Sequence, residues 1–311
     1  MRVIFAGHTG IDKGKVLSNL ALVVREKQGL PADSSEPLVI DFEKRLMDHL
    51  GGSFSAFLRT GDFSYQLSGW AATMKKINKK LNDEDSKLNS TFLSLHCIFY
   101  MAGRLFSLLD LKGIRDFNPT HIVTLIDDIY EVQGRIKYKS GQEFYLRLRE
   151  LLAWRSMEIA MAEFLTRSLE QLEQRPIKHY VLAVKHSKQM LYNLLYKTTA
   201  PKFYASIPIT ATRSKANYRC EIDRVRQELC RRYPIVFDPL TIDEDIPELF
   251  NSAKRKRRDP LVVNRGSQVD RWPIPEKGTL TEGRQDVYPL RLSVEELLEA
   301  EAIIKEQVEP R

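Results

Sequence analysis

Five short apolar runs, separated by segments of helical periodicity, constrain this chain more than any other feature of its sequence. Each run is rich in Val, Ile, Leu or Phe with little alternation, which is typical of parallel strands buried on both faces. The helical spacing after the first run stops at Gly29. The runs are Val3–Ala6, Leu38–Asp41, Thr91–Leu95, His121–Ile126 and Tyr180–Val184. The alternation predicts an α/β fold for residues 1–200, a parallel sheet flanked by helices.

A second, smaller α/β domain of Rossmann-like character is predicted for residues 201–311. Strand patterns at Phe203–Ile207 and Ile235–Phe237 flank a helical pattern. Residues 240–291 are rich in Pro, Gly, Asp and Arg without a period, which predicts a long loop. A capping box at Ser293–Glu296 then predicts a last helix.

Composition places the chain among ordinary globular proteins. Its 311 residues are 43% hydrophobic and 29% charged, with a net charge of +7, which excludes disordered and collagen-like classes. No apolar run reaches about 18 residues, so no membrane-spanning helix is expected. The three cysteines favour a reducing cytoplasm over a disulfide framework. The charge distribution suits small phosphorylated ligands better than nucleic acid.

The segment after the first strand has the composition of a phosphate-binding loop. It reads Gly7-His8-Thr9-Gly10-Ile11-Asp12-Lys13-Gly14-Lys15 and precedes a helix. A glycine-bearing turn between a strand and a helix presents backbone N–H groups to an anion, and a lysine at its end reaches β- and γ-phosphates. The strict Walker pattern is absent. Three interpretations stay open: a turn without a ligand, nucleotide binding without turnover, and competent phosphoryl transfer.

This loop resembles that of adenylate kinases, G-x-P-G-x-G-K-G-T, with three glycines and the lysine in register. Asp12 stands where the family has a glycine, and it adds bulk and a repelling charge unless Lys13 or Lys15 pairs with it. Lys15 also replaces the Ser/Thr hydroxyl that would bind Mg²⁺. The positions that the resemblance assigns to ATP or another NTP are Gly7, Gly10, Lys13, Gly14 and Lys15.

Arginines further along the first half extend the resemblance to nucleotide kinases, particularly those of archaeal type. Pro119–Asp128, followed by Arg135, resembles the family's fourth strand and the arginine that heads its lid. Glu143 to Arg155 falls where lid arginines clamp the transferring phosphates. The catalytic residues that the resemblance implies are Lys13, Arg135, Arg147 and Arg155. For each arginine the alternative is a solvated face or a salt bridge.

Two aspartates follow a predicted strand at its carboxyl end, where open α/β sheets bind ligands. Asp127 and Asp128 are therefore candidate ligands of Mg²⁺, directly or through water. A turn-and-cap role for Asp128 is the alternative. His96 ends another predicted strand and either faces the same crevice or is a satisfied core residue. The four lysines between Lys75 and Lys80 predict a solvated helical face.

The start of the second half resembles nucleoside 2-deoxyribosyltransferase-like domains. Phe203 to Arg213 reads like their first strand, Y-L-A-x-P-I, and the loop around the nucleoside or sugar phosphate. The family's carboxylate nucleophile comes from a segment beyond a further strand, and that strand has no counterpart before Arg311. Two alternatives stay open: a complete chain whose second half is no glycosidase, and a fragment whose nucleophile lies in the missing part. The substrate-binding residues that the resemblance implies are Tyr204, Pro208, Thr210, Arg213 and Asp238.

Together these observations predict a cytoplasmic protein of nucleoside or nucleotide metabolism or defence. An NTP-sensing or phosphotransferase domain would be joined to a nucleoside-glycosidase-like domain, with a nucleotide or nucleoside as ligand. A homo-oligomer is compatible with the sequence, whereas membrane and nucleic-acid partners are not favoured. The alternative is a non-catalytic scaffold that kept both folds and lost both chemistries, which Asp12, Lys15 and the missing nucleophile favour.

Overall fold

Helices flank a five-stranded parallel sheet, so the predicted α/β class is confirmed. The structure is a computed structural model. It describes residues 1–31, 33–84, 89–101, 103–139, 146–206, 216–238, 241, 261–265 and 268–272.

The described strands and helices alternate along the first 200 residues. In chain order the strands are Arg2–Ala6 (β1), Leu38–Asp41 (β2), Thr91–Ser94 (β3), Phe99–Met101 (β4), Arg104–Phe106 (β5), His121–Ile126 (β6), Lys178–Ala183 (β7), Lys202–Tyr204 (β8), Ile235–Phe237 (β9), Leu261–Arg265 (β10) and Gln268–Trp272 (β11). The helices are Lys13–Gln28 (α1), Phe42–Leu50 (α2), Phe54–Arg59 (α3), Phe63–Glu84 (α4), Leu111–Phe117 (α5), Ile129–Lys139 (α6), Leu148–Glu173 (α7), Lys188–Tyr196 (α8) and Ala216–Arg232 (α9).

The main sheet has the strand order β2-β3-β1-β6-β7, and every pair of neighbours in it is parallel. Ile4 of β1 lies opposite Leu93 of β3 and Ile122 of β6, and all three side chains are fully buried. Parallel strands covered on both faces need apolar side chains in both directions, which explains the uninterrupted apolar runs. The carboxyl ends of β2, β3 and β1 therefore open at one edge of the sheet.

All five predicted runs form this sheet. Leu38–Asp41 and His121–Ile126 have the predicted bounds, and the other three strands differ by one or two residues at their ends. The first helix is also confirmed. It buries Val16, Leu17 and Leu20 on one face and ends at Gly29, whose φ of 63° is the left-handed conformation that glycine adopts most easily.

Residues beyond 200 add a parallel pair of strands, β8 and β9, joined through α9. This pair lies next to α8, where the Asn193 side chain donates to the Pro234 carbonyl at 2.8 Å. The amide of Asp238 donates to Nε2 of His186 at 3.3 Å. The prediction of an irregular loop over 240–291 is wrong for part of that stretch, because β10 and β11 pair as an antiparallel hairpin. Its Leu-Val-Val and Val-Asp-Arg-Trp segments carry β-branched and aromatic residues, which favour strands.

Internal contacts divide the chain into two units. One comprises Met1–Ile126 and Ser156–Ile242, and the other comprises Asp127–Arg155 and Asp243–Arg311. The β8–β9 pair thus belongs to the same unit as the main sheet. The domain boundary near residue 200 stays a prediction, and the predicted last helix from Ser293 lies outside the described residues.

Candidate phosphate-binding site

The turn between β1 and α1 needs glycine at two positions. A Cβ atom at Gly7 would lie 3.0 Å from the carbonyl oxygen of Leu125, so a side chain there would require β6 to shift by a few tenths of an ångström. Gly10 has a φ of 90°, a left-handed conformation that L side chains rarely adopt. The glycines at these two positions are therefore explained by the fold itself.

Gly14 is different, because the fold does not require it. A Cβ atom at this position would meet nothing closer than Oδ1 of Asp12 at 4.0 Å. Glycine inside a helix costs about 1 kcal/mol relative to alanine. The missing side chain leaves open space beside the first turn of α1, where a phosphate group would approach the backbone.

Several amide groups of this turn have no acceptor within the described part of the chain. They belong to Gly10, Asp12 and Gly14, and the Gly10 residue is buried. The Lys15 amide is already engaged, since it donates to Oδ1 of Asp12 at 3.2 Å. Asp12, which departs from the family pattern, is thus the N-cap of α1. Its carboxylate occupies the Lys15 amide, a donor that a phosphate would otherwise use.

Lys13 folds back over the loop. Its Nζ atom donates to the Gly7 carbonyl at 2.6 Å and lies 3.0 Å from Nε2 of His96. Burial lowers the pKa of Lys13, while the negative charges of Glu43 and Glu158 act in the opposite direction. The ammonium group of Lys13 is thus buried against one loop carbonyl and the His96 ring, with carboxylates nearby that favour its charged form.

His96 joins Lys13 to an acidic residue that the sequence analysis did not single out. Its Nε2 atom also lies 2.5 Å from Oε1 of Glu43, at the start of α2. One ring nitrogen is either a donor or an acceptor, so Nε2 serves Glu43 when it carries the proton and Lys13 when it does not. His96 is buried, as expected of a core residue, and yet it faces the crevice that holds Lys13. Asp41 is the last residue of β2 and Glu43 follows the strand, so the rule that singled out Asp127 would also have found them.

Glu158 of α7 is a second residue that the sequence analysis missed. Its side chain is buried, with Oε1 accepting from the amides of Gly7 at 2.9 Å and Cys97 at 2.8 Å, and Oε2 from the Ile98 amide at 2.7 Å. The carboxylate therefore ties α7 to the segments that follow β1 and β3. The signal in the sequence is a glutamate on the apolar face of a helix, seven residues after buried Leu151.

The two aspartates after β6 belong to the other unit and make local contacts. Asp127 forms an ion pair with Arg135 and accepts from the Asp128 amide at 2.9 Å. Asp128 accepts from the amides of Tyr130 at 3.0 Å and Glu131 at 3.3 Å, as a cap of α6 does. The metal-binding role of both aspartates stays a prediction. Within the described ranges, no group of three or more His, Cys, Asp or Glu residues is arranged to hold a metal ion.

The two other arginines that the resemblance singles out belong to the same unit as Asp127. Arg147 is exposed just before α7, where its amide donates to Glu150 at 2.8 Å, and Arg155 lies half-buried on the same helix. Their roles as phosphate clamps, like that of Arg135, stay predictions.

In the second half, Tyr204 is exposed, whereas Asp238 is buried and pairs with Arg226, whose Nε lies 2.7 Å from Oδ2. This ion pair gives Asp238 a structural role. The other predicted substrate-binding residues, Pro208, Thr210 and Arg213, lie outside the described residues.

The strand–glycine loop–helix unit at β1 and α1 has the arrangement of a P-loop. No protein-family model and no curated protein matches this sequence. Solved structures with some likeness include a shikimate kinase from Bacteroides thetaiotaomicron, 13% identical with a TM-score of 0.36 over 63% of this chain and 98% of that one. Deoxyadenosine kinase from M. mycoides, with bound products, is 10% identical with a TM-score of 0.25 over 64% and 98% of the two chains.

An uncharacterized protein from Eubacterium ventriosum is 12% identical, with a TM-score of 0.27 over 64% of this chain and 97% of that one. At these TM-scores the likeness adds nothing to what the sheet order and the loop geometry establish. The resemblance of the second half to deoxyribosyltransferase-like domains has no support in these comparisons. No described helix has the length and apolar character needed to cross a bilayer.

Proposed function

We propose that residues 7–15 bind the triphosphate of a nucleotide such as ATP. The observation that carries this proposal is the convergence of unsatisfied backbone amides with a buried ammonium group. The amides of Gly10, Asp12 and Gly14 lack acceptors among the described residues, and Lys13 folds over the same turn. Gly10 is buried, so its amide is costly to leave without an acceptor, whereas Asp12 and Gly14 are exposed at the start of α1. Phosphate oxygens at a helix N-terminus would accept from all three amides.

The donor set fits a polyphosphate better than it fits the Mg²⁺ ion that usually accompanies one. Lys15 offers no hydroxyl at the position where the family pattern has a metal ligand, and a lysine adds a positive charge instead. We therefore propose nucleotide binding that does not depend on Mg²⁺. Phosphate charge would be neutralised by Lys13 and by the backbone dipoles of α1.

Phosphoryl transfer is the second candidate function, and one observation favours it. The Glu43–His96 pair lies beside Lys13, at the same edge of the sheet, with 2.5 Å between Oε1 and Nε2. A carboxylate hydrogen-bonded to an imidazole can take the proton of an attacking hydroxyl group. This arrangement would supply a base next to the proposed phosphate site.

Isothermal titration of ATP into the wild type, without Mg²⁺, tests the binding proposal. Lys13→Met keeps the length of the side chain and removes its charge, and we expect it to weaken binding about tenfold or more, since hydrogen bonds to charged groups contribute about 1.5–3 kcal/mol. Lys27→Met, an exposed position near the end of the same helix, is the matched control and should bind like the wild type.

Absence of binding to the wild type, or equal loss in both variants, would refute the proposal. Thermal unfolding of each variant establishes that its fold is retained. Assaying ADP in parallel samples with Mg²⁺ and nucleoside acceptors separates the two candidates. ADP formation that Glu43→Gln abolishes supports transfer, and binding without ADP formation supports binding alone.

A further inference from the structure

His96 lies between a base and an acid beside the glycine loop. Its Nε2 atom lies 3.0 Å from Nζ of Lys13 and 2.5 Å from Oε1 of Glu43, and Nδ1 of the same ring lies 3.5 Å from the lysine nitrogen. A neutral imidazole has one N–H group and one lone pair. The protonation state of His96 therefore decides which of its two neighbours Nε2 can bond.

A second positive charge next to Lys13 is disfavoured in the free protein. Protonating His96 would place an imidazolium 3.0 Å from the Lys13 ammonium, and like charges at this distance repel strongly away from water. Both residues are buried, and desolvation lowers the pKa of Lys13. Amines are stronger bases than imidazoles by about four pK units. In the free protein, Lys13 therefore carries the one positive charge that the Lys13–His96 pair holds.

The charged groups that face this pair are carboxylates on three elements. They are Asp41 of β2, Glu43 of α2 and Glu158 of α7. Each acts to raise the pKa of Lys13, but burial is the larger effect, because the net change of that pKa is downward. The neighbouring Cys97 thiol is uncharged, since burial raises its pKa, and Phe99 adds only an apolar ring, 5.3 Å from that of His96. The carboxylates thus do not fully offset the cost of positive charge in this enclosure.

We propose that binding of a nucleotide triphosphate to residues 7–15 draws a proton onto His96, so that the pair carries two positive charges in the complex. The inference rests on the nucleotide site proposed for this loop. Lys13 belongs to the loop, and its Nζ atom donates to the Gly7 carbonyl at 2.6 Å. Phosphate charge at the loop therefore acts on the buried pair through weakly screened surroundings, and no contact between phosphate and His96 is needed.

The direction of the pH dependence follows from the proton count. Phosphate charge stabilises the doubly protonated pair, so the complex holds more protons than the free protein, and affinity rises as the pH falls. We expect uptake of about 0.3 proton or more per ATP at about pH 7.5, which corresponds to about twofold tighter binding or more per pH unit lowered. ATP itself is largely ionised there, since the second pKa of a phosphate is about 6.

Calorimetric titration of ATP without Mg²⁺, in buffers of different ionisation enthalpy, counts the protons taken up. His96→Gln removes the proposed acceptor and should abolish the uptake. The matched control is His179→Gln, a half-buried histidine of β7 whose Nε2 lies 2.9 Å from Oγ1 of Thr124, and it should keep the uptake of the wild type. Binding to the wild type without proton uptake, or equal loss of uptake in both variants, would overturn this inference and leave the nucleotide site standing. Absence of ATP binding would refute both.

The ring ¹⁵N signals of His96 in the wild type provide a test that needs no variant. At about pH 7.5 they should move from the pattern of a neutral imidazole toward that of an imidazolium as ATP saturates the protein. A ring that stays neutral at saturation, or one that is already an imidazolium without ATP, would overturn the proposed proton uptake.

Discussion

Asp12 carries a negative charge into a turn whose other features favour an anion. Its carboxylate caps α1 through the Lys15 amide at 3.2 Å, so the residue stabilises the helix while it competes with phosphate for a donor. Sequence reasoning identified the repelling charge at this position. It did not identify the cap, because a cap depends on where the helix begins, and helix ends are the least certain part of a sequence-based assignment.

Replacing Asp12 by glycine should therefore strengthen nucleotide binding. The change frees the Lys15 amide and removes a like charge, which together correspond to about a tenfold gain in ATP affinity. Glycine is itself an acceptable N-cap, so the free energy of unfolding should fall by only about a few tenths of a kcal/mol. Calorimetric titration and urea unfolding measure the two effects.

The control for this change is Asp62→Gly. Asp62 caps the start of α4 in the same manner, accepting from the Tyr65 amide at 2.9 Å, and its loss should leave ATP affinity unchanged. If Asp12→Gly binds ATP no better than the wild type, the carboxylate does not compete with phosphate at this turn.

At the scale of elements, one buried carboxylate ties α7 to the segments that follow β1 and β3. Glu158 accepts from three backbone amides, those of Gly7, Cys97 and Ile98. In a glutamine side chain, one of the two accepting oxygens is replaced by an NH₂ group, which cannot accept a hydrogen bond. At least one of the three backbone N–H groups would then lose its acceptor. We expect Glu158→Gln to lower the free energy of unfolding by about 2–3 kcal/mol, which urea denaturation followed by circular dichroism measures.

Glu163→Gln on the same helix is the matched control for this prediction. Glu163 forms an exposed ion pair with Arg167, and such pairs contribute about 0–1 kcal/mol. Equal destabilisation by the two substitutions would show that the Glu158 carboxylate does not anchor α7.

The elements that sequence reasoning predicted are those whose pattern is local. Each strand of the main sheet is an apolar run, and α1 has a clean apolar face that ends at Gly29. The short strands β4 and β5, with three residues each, carry too little pattern to be recognised. The contacts of Glu158, His96 and Glu43 depend on segments far apart in the chain, and no local pattern encodes them.

For the whole molecule, the order of the strands decides the function that we propose. Placing β1 between β3 and β6 brings the glycine loop, Lys13 and His96 to one edge of the sheet, with Glu43 following β2 beside them. The apolar runs predict the strands and their parallel direction. They do not encode the order of the strands, which depends on the direction that each right-handed crossover takes between parallel strands.

Mapping ATP binding onto the backbone tests the central claim most directly. In ¹⁵N-TROSY spectra recorded during a titration without Mg²⁺, the amides of residues 7–15 should shift along one saturation curve, and Lys13→Met should weaken that curve about tenfold or more. Unchanged loop amides at saturating ATP, or shifts that are centred elsewhere and insensitive to Lys13→Met, would contradict a nucleotide site at the turn between β1 and α1.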